Sequence, residues 1–293
     1  MDFGVHLFGV GAMADPVELA RVARRAEDLG YHSVFVADHI VLPTKITSQY
    51  PYTADGHFPF PADSDWIEPL TALAYLAAET TRIRIGTSIL VLPYRHPVVT
   101  AKQLASIARM AQGRLIVGVG TGWLEEEFRL LGVRKPERGA RTDEYLALMK
   151  TLWTEDEPRF AGRFVEVADA KFFPKPWQKP HPPIWVGGEG LPALKRAAAL
   201  GDGWHSASCS PTELPHKLDQ LKTFRAQAGR AWEGFTVSIF PTERLTLELV
   251  SRLESLGVQH VMSPVYHPDP KRLLDRLERF AHEVVEPAGQ RGV

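Results

Sequence analysis

Along the chain, apolar and polar positions fall into a repeating unit: a short apolar run, a stretch of helical period, then another short apolar run. Residues 3–8 form the first run. Asp15-Pro16-Val17-Glu18 then reads as a helix start, with Asp15 as N-cap, Pro16 at the first helical position and Glu18 completing a capping box. Leu19, Val22, Ala23, Ala26 and Leu29 recur at helical spacing, and Gly30 is placed to stop the helix. The run 33–38 is apolar on both faces, as a strand covered from both sides must be. The same unit predicts helices over 66–79, 98–111, 142–152, 191–200, 212–226, 246–256 and 270–285. It predicts further strands over 83–92, 115–119, 184–187, 203–206, 236–240 and 259–263. Strict alternation with right-handed crossovers makes the strands parallel, and about eight such units suggest a closed α/β barrel, the (β/α)8 or TIM barrel. An open doubly wound sheet is the structural alternative. With no Gly-, Ser- or charge-rich break, residues 1–293 read as a single domain.

Two insertions exceed a minimal barrel. Residues 43–65, after strand two, are rich in Pro and carry Tyr50, Tyr52, Phe58 and Phe60, which favours a lid over a disordered segment. Residues 155–183, before strand five, contain Arg159-Phe160-Ala161-Gly162-Arg163-Phe164-Val165, which reads as a hairpin turning near Gly162.

Composition narrows the function classes. There are 34 Lys and Arg against 35 Asp and Glu, which gives no electrostatic reason to expect nucleic acid or an anionic membrane as partner. Cys209 is the only cysteine, so an internal disulfide and a Cys-rich zinc site are excluded. The N-terminus lacks the pattern of a signal peptide, and no apolar run approaches the roughly 20 residues of a membrane span. The expectation is a cytoplasmic protein.

A barrel of this kind places its chemistry at the carboxyl ends of its strands. Those ends carry Asp38-His39, Thr87-Ser88-Ile89, Gly118-Val119-Gly120-Thr121-Gly122-Trp123, Gly187-Gly188-Glu189 and Trp204-His205-Ser206. Small residues dominate, and the face suits a flat, anion-bearing cofactor better than a hydrolytic nucleophile. Each feature has a plainer reading. The strand-four glycines serve close packing, Gly187-Gly188 is a turn, and Asp38 caps backbone amides. Trp123 and Trp204 are core, and His205 is a satisfied structural histidine. Glu125-Glu126-Glu127 reads as a solvated face with Phe128 and Leu131 turned inward. Arg95-His96-Pro97 reads as helix capping, and Arg114 belongs to the opposite, stability face.

Several segments together resemble the luciferase-like superfamily, and within it the coenzyme F420-dependent oxidoreductases. They are Ala37-Asp38-His39, Ile85-Gly86-Thr87-Ser88-Ile89-Leu90-Val91-Leu92-Pro93, Arg95-His96-Pro97 and Gly113-Arg114-Leu115. Further on come Gly118-Val119-Gly120-Thr121-Gly122-Trp123 with Leu124 to Phe128, Pro182-Pro183-Ile184-Trp185-Val186-Gly187-Gly188 and Gly201-Asp202-Gly203-Trp204. The resemblance implies a non-proline cis peptide at Ser88–Ile89 whose bulge backs a deazaflavin or flavin ring. It also implies Asp38 and His39 near the ring's polar edge, and a phosphate at Gly187 and Gly188. Thr87, Gly120, Thr121 and Glu189 complete the expected cofactor contacts, with Trp123, Trp204 and His205 lining the substrate pocket. The related sugar-phosphate dehydrogenases carry a glutamate where this chain has Trp123, which argues against glucose 6-phosphate as substrate.

The implied activity is hydride transfer between coenzyme F420 and a small organic substrate, with His39 as acid or base and Asp38 orienting it or touching the ring. An F420 or flavin reductase and a second copy of the chain are the expected partners, the latter as a homodimer. An FMN-dependent two-component monooxygenase is the alternative, and a non-catalytic flavin-binding protein is a second. A metal-dependent hydrolase is a poor fourth, since only Asp38, His39, Glu189 and His205 stand at strand ends as ligands.

Overall fold

The computed structural model describes residues 1–290; the last three residues of the single-domain reading, 291–293, lie outside the described residues. Eight strands make the barrel: β1 (Asp2–Phe8), β2 (Ser33–Val36), β3 (Arg84–Thr87), β4 (Leu115–Gly120), β5 (Ile184–Gly187), β6 (Gly203–Cys209), β7 (Thr236–Pro241) and β8 (His260–Ser263). Each pairs in parallel with its sequence neighbours, and β1 closes the ring by pairing with β8, Asp2 opposite His260 and Val5 opposite Ser263. This is the expected closed barrel, not an open sheet.

Helices α1 (Pro16–Asp28), α2 (Pro69–Glu79) and α3 (Pro97–Met110) follow the first three strands. A six-residue helix, α4 (Glu125–Leu130), precedes α5 (Arg138–Thr154) after β4. Helices α6 (Leu191–Leu200), α7 (Leu214–Gln227), α8 (Leu247–Ser255) and α9 (Pro270–Phe280) complete the outer ring. At the start of α1 the Asp15 carboxylate accepts from the Val17 and Glu18 amides at 2.8 and 3.1 Å. The predicted capping box is only half made. The Asp15 amide already donates to the Ala12 carbonyl, so Glu18 turns to Arg21 instead.

Strand alternation produces two cores. Outward-facing Val5, Leu7, Val34, Val36, Val117, Val186, Val237 and Val261 pack against the helices in the main apolar cluster. Inward-facing Phe35, Ile116, Trp185 and Met262 form a separate cluster inside the barrel. Full burial of each such side chain contributes roughly 1.5–3 kcal/mol. At the amino-terminal end of the barrel, Arg114 donates to the Ala77, Thr80 and Ile83 carbonyls, and Glu27 accepts from the Thr81, Arg82 and Ile83 amides. That face is structural, as read from the sequence.

In the insertion before β5, Phe160–Ala161 pairs antiparallel with Glu166–Val167 around the bond from the Gly162 amide to the Val165 carbonyl. Glu144 of α5 accepts from the amides of Arg163, Phe164 and Val165, tying this hairpin to the outside of the barrel. Among the described residues no helix is long and apolar enough to cross a membrane.

Candidate active site

The third strand is not the continuous run 83–92 that its hydrophobicity predicts. Ser88–Ile89 is a cis peptide, the ladder with β2 stops at Thr87, and the chain resumes at Leu90–Val91 against Val119 and Gly120 of β4. The strand-four glycines are required by this bulge. A Cβ on Gly118 would lie 1.9 Å from the Thr87 carbonyl oxygen, and one on Gly120 would lie 2.0 Å from the Ile89 side chain. Their close-packing reading is therefore correct, and the object packed is the bulge itself. Thr87, expected to touch the cofactor, is fully buried, and its hydroxyl donates to the Gly118 carbonyl at 2.6 Å. It braces the bulge from behind. Ser88 and Ile89 remain partly open to the mouth.

The Ser88 carbonyl accepts from His6 Nε2 at 2.9 Å, while His6 Nδ1 accepts from the Phe8 amide at 3.0 Å. That pair of bonds places the His6 proton on Nε2. Burial draws His6 down to about 4, against the Ser88 bond that favours its charged form, so the ring is neutral at pH 7.

Asp38 and His39 follow β2 but do not meet as expected. Asp38 accepts from Arg95 through two bonds of 2.6 and 2.8 Å and from the Val91 amide at 2.8 Å. Burial pushes the Asp38 carboxyl up, opposed by the Arg95 guanidinium. Burial in turn draws Arg95 down, and the Asp38 and Glu68 carboxylates more than reverse it. Asp38 thus ties the end of β2 to the bulge and does not orient His39.

The residue that does is Glu127, whose Oε2 lies 2.7 Å from His39 Nδ1. Far from solvated, Glu127 is 0% exposed; it also accepts from the Ile40 and Val41 amides and from the Tyr94 hydroxyl. Burial pushes the Tyr94 phenol up, and Glu127 adds to the effect, so Tyr94 stays a donor. With Nδ1 committed to Glu127, Nε2 is the His39 nitrogen free to exchange a proton.

Neighbouring Glu126 corrects the solvated-face reading a second time. Its carboxylate accepts from the Thr47 amide and hydroxyl at 2.7 and 2.5 Å, and from the Ser48 amide and hydroxyl at 3.1 and 2.7 Å. Burial pushes this carboxyl up, but the Thr47 and Ser48 donors outweigh it and hold Glu126 at about 2. The 43–65 segment is latched by these bonds and sends its aromatics inward. Phe58 meets His39 edge-on at 5.1 Å and Trp123 at 5.4 Å, while Tyr50 meets Trp123 at 5.0 Å and Phe60 meets Trp66 at 5.3 Å. Trp123 stands half-buried against these rings. A cavity of about 450 Å³ lies within the lid's own residues, between Pro43 and Ala62, and takes no residue from the strand ends. The bulge and His39 stand at the strand ends, outside that cavity.

After β5, Gly188 has φ +115°, and an added Cβ would meet the Ala193 Cβ at 2.9 Å. Gly190 caps α6 without a side chain; Pro192 has no N–H and the Ala193 amide donates to the Gly190 carbonyl at 2.9 Å, so the Leu191 amide is the first-turn donor left for an anion. Beside it, Glu189 Oε1 accepts from the Ser206 hydroxyl and the Ala207 amide, whereas Oε2 is buried without a hydrogen bond, 4.0 Å from Lys217 Nζ. Burial pushes the Glu189 carboxyl up. A bulge with a flat back, glycines admitting close approach and an uncapped helix start fit a planar group with a phosphate tail.

A profile of the luciferase-like monooxygenase family matches residues 1–242. The chain belongs to that family. Among its relatives, an uncharacterized protein of Mycobacterium tuberculosis is 35% identical over 94% of this chain and 96% of its own length. A protein of Nakamurella multipartita named F420-dependent glucose-6-phosphate dehydrogenase is 30% identical over 98% of this chain and 75% of its own length. An F420-dependent secondary alcohol dehydrogenase, solved with an F420-acetone adduct, shares the fold with TM-score 0.77 and 18% identity over 98% of each chain.

In this luciferase-like barrel, two expected pocket residues stand elsewhere. Trp204 is fully buried and its indole donates to the Gly188 carbonyl at 2.9 Å, so it supports that turn from within the core. His205 is 2% exposed and its Nε2 lies 2.8 Å from the Ser88 hydroxyl oxygen, so it sits behind the bulge. Ser88, Ile89, Thr121, Gly187, Gly188 and Glu189 remain part-exposed around the mouth, while Gly120 is buried under Ile89. Sequence reasoning missed Glu127, Glu126, Tyr94 and His6. His6 carried a signal in that, with Gly4 and Phe8, it occupies the inward parity of β1, and Glu126 and Glu127 carried one in that they lie in the Leu124 to Phe128 segment of the resemblance. Among the described residues no three His, Cys, Asp or Glu side chains converge as metal ligands do.

Proposed function

We propose that this luciferase-like protein is a cytoplasmic oxidoreductase that uses coenzyme F420 to move a hydride to or from a small organic substrate. The observation that carries the reading is His39, fixed by buried Glu127 at the same mouth as the Ser88–Ile89 bulge. When bound, the deazaflavin supplies the hydride chemistry. The chain's own residues then have separate tasks. Ile89, seated on Gly120, presents a flat apolar back to the ring. The Gly187-Gly188 turn and the start of α6 receive the phosphate. His39 Nε2 holds or accepts the substrate proton, and Glu127 holds the ring in place through Nδ1. Tyr50, Phe58 and Trp123 exclude water and favour an apolar or aromatic substrate. The Nakamurella relative is named for glucose 6-phosphate; an indole at position 123 offers no carboxyl for a sugar hydroxyl, which speaks for another substrate. The reading includes a homodimer and a separate enzyme that reduces the coenzyme.

The family's description as monooxygenase favours one second reading, an FMN-dependent oxygenase. Titration with F420 and, separately, FMN, followed by tryptophan quenching, decides between them. Micromolar F420 binding with much weaker FMN binding is expected, and the reverse preference overturns the proposal. His39→Ala is expected to keep coenzyme affinity and lower kcat about 10²–10⁴-fold. Glu127→Gln should give a smaller loss of the same kind. Unchanged turnover in both refutes the proton-transfer role.

A further inference from the structure

Inside the barrel a single file of polar side chains crosses the apolar cluster from top to bottom. Ser88 Oγ, at the bulge, lies 2.8 Å from His205 Nε2. His205 Nδ1 lies 2.7 Å from Ser238 Oγ, which lies 2.6 Å from His260 Nδ1, and His260 Nε2 lies 2.9 Å from Ser33 Oγ. Ser88 is partly open at the mouth, whereas the other four are at most 2% exposed. Ser33 and His260 begin β2 and β8, so the file ends at the amino-terminal face. There His32 packs 5.6 Å from His260 and reaches Asp2 at 3.3 Å, with its Nδ1 lacking a partner. The fold makes room for the file: a Cβ on Gly4 would lie 2.7 Å from the His260 ring.

Both rings are held neutral. Phe35 and Trp185 enclose them, with centroid distances of 5.5 and 5.9 Å to His205 and 5.7 and 5.1 Å to His260. Burial draws His205 down to about 3 and His260 well below its ordinary value, and the positive Arg84 near the lower end acts in the same direction. A neutral imidazole has one donor and one acceptor nitrogen, and a serine hydroxyl has one proton. Ser238 lies between two Nδ1 atoms, so it donates to one and accepts from the other. The two histidines must therefore be opposite tautomers, and the whole file has only two fully bonded arrangements. In one, Ser88 donates inward to His205. In the other, His205 donates to Ser88, whose own proton points into the mouth.

We propose that Ser88, His205, Ser238, His260 and Ser33 form a one-proton relay that sets whether the Ser88 hydroxyl donates to, or accepts from, a group bound at the bulge. The steps balance. Ser88 gives its proton to the mouth and takes the Nε2 proton of His205. His205 Nδ1 takes the proton of Ser238, and Ser238 takes the Nδ1 proton of His260. His260 Nε2 takes the proton of Ser33, and Ser33 takes a proton from solvent water at the amino-terminal face, where the part-exposed His32–Asp2 pair lies. Every group ends neutral, one proton has crossed, and the file is left in its other arrangement. Because rings bonded at both nitrogens do not flip, resetting requires the reverse passage. The relay thus lends one proton in one direction of a reversible reaction and reclaims it in the other. That use rests on the cofactor reading above, whereas the coupling along the file does not.

The test is the ring ¹⁵N spectrum of histidine-labelled protein at pH 7. The two rings are expected to be neutral and of opposite tautomer. Ser33→Ala removes only the last hydroxyl, yet it is expected to fix His205, three bonds away, in its Nε2–H form, and Ser33→Thr is expected to restore the original pattern. A thermal melt confirms folding of each variant. Like tautomers, a charged ring, or a His205 that ignores Ser33→Ala while His260 responds would overturn the relay. Saturating F420 is then added to the unsubstituted protein. Inversion of His260, remote from the mouth, supports the relay, and quenching without any change at His260 refutes it. Absence of quenching would sink the cofactor reading alone, and the ligand-free comparison would still decide the coupling.

Discussion

Neutral histidines buried in a barrel make stability fall with acid in a calculable way. Unfolding returns His6 and His205 to an ordinary value of 6.5, whereas in the folded chain burial holds them at about 4 and about 3. Their contribution is complete above pH 6.5. It declines as the pH drops below 6.5, because the unfolded chain binds protons that the folded chain refuses. At pH 5 each ring costs about 2 kcal/mol relative to pH 8, or about 4 kcal/mol for the pair, from ~1.4 kcal/mol per pH unit. His260 acts in the same direction. Set against a total of roughly 5–15 kcal/mol for a typical domain, this is a large fraction. Guanidinium unfolding at pH 8, 6.5, 5.5 and 5 measures it, and the slope of stability against pH gives the protons taken up on unfolding. Near pH 5.5 the uptake should be at least about two, and His205→Gln should lower it by about one. An uptake below about one proton would mean that these rings are charged in the folded state or exposed, and the reasoning would fail.

Two further outcomes follow from the packing and the latch. Gly118→Ala forces a methyl into the Thr87 carbonyl, and overpacking against backbone should cost upwards of about 1–3 kcal/mol, read as a lowered Tm and lost coenzyme binding. A Tm within a degree of the original would show that the bulge yields easily. Glu126→Ala releases Thr47 and Ser48 from a charged acceptor, each bond being worth about 1.5–3 kcal/mol. Proteolysis within residues 43–65 at pH 8 should accelerate at least about tenfold with Tm little changed, and equal cleavage rates would refute the latch.

Long periodic segments were legible in the sequence because each has a face to bury. Helix α6 falls on the predicted 191–200 and β5 on the predicted 184–187. The site was legible where it depends on backbone: the Ser88–Ile89 bulge and the glycines around it occupy the expected positions. It was illegible where it depends on which carboxylate reaches which partner. Helix α4 is six residues long, too short for its period to separate a wet face from a dry one, so three consecutive glutamates read as solvated. Two of them are buried because donors from the 39–48 stretch converge on them across more than 75 residues of chain. Asp38 was paired with His39 because they are adjacent, yet successive residues after a strand point apart, and Arg95 takes the carboxylate. Of the file inside the barrel, Ser88 and His205 were read as residues of the mouth, whereas Ser33, Ser238 and His260 drew no attention because each lies singly in an apolar strand. Only the closed ring brings them into one file.

The adjacency of Glu126 and Glu127 has a practical consequence for redesign. One carboxylate fastens the 43–65 segment and the next fastens the His39 imidazole, and both project from a single turn of helix. Residues 43–65 are therefore exchangeable as a cassette only if the incoming loop returns hydroxyl and amide donors to Glu126 at positions 47 and 48. A donor-poor loop would leave a buried anion unsatisfied one residue away from His39's anchor. Tyr50, Tyr52 and Phe58 can be varied without touching that fastening, and a loop library aimed at the proposed substrate side should hold Thr47 and Ser48 constant while everything between them and Phe60 varies.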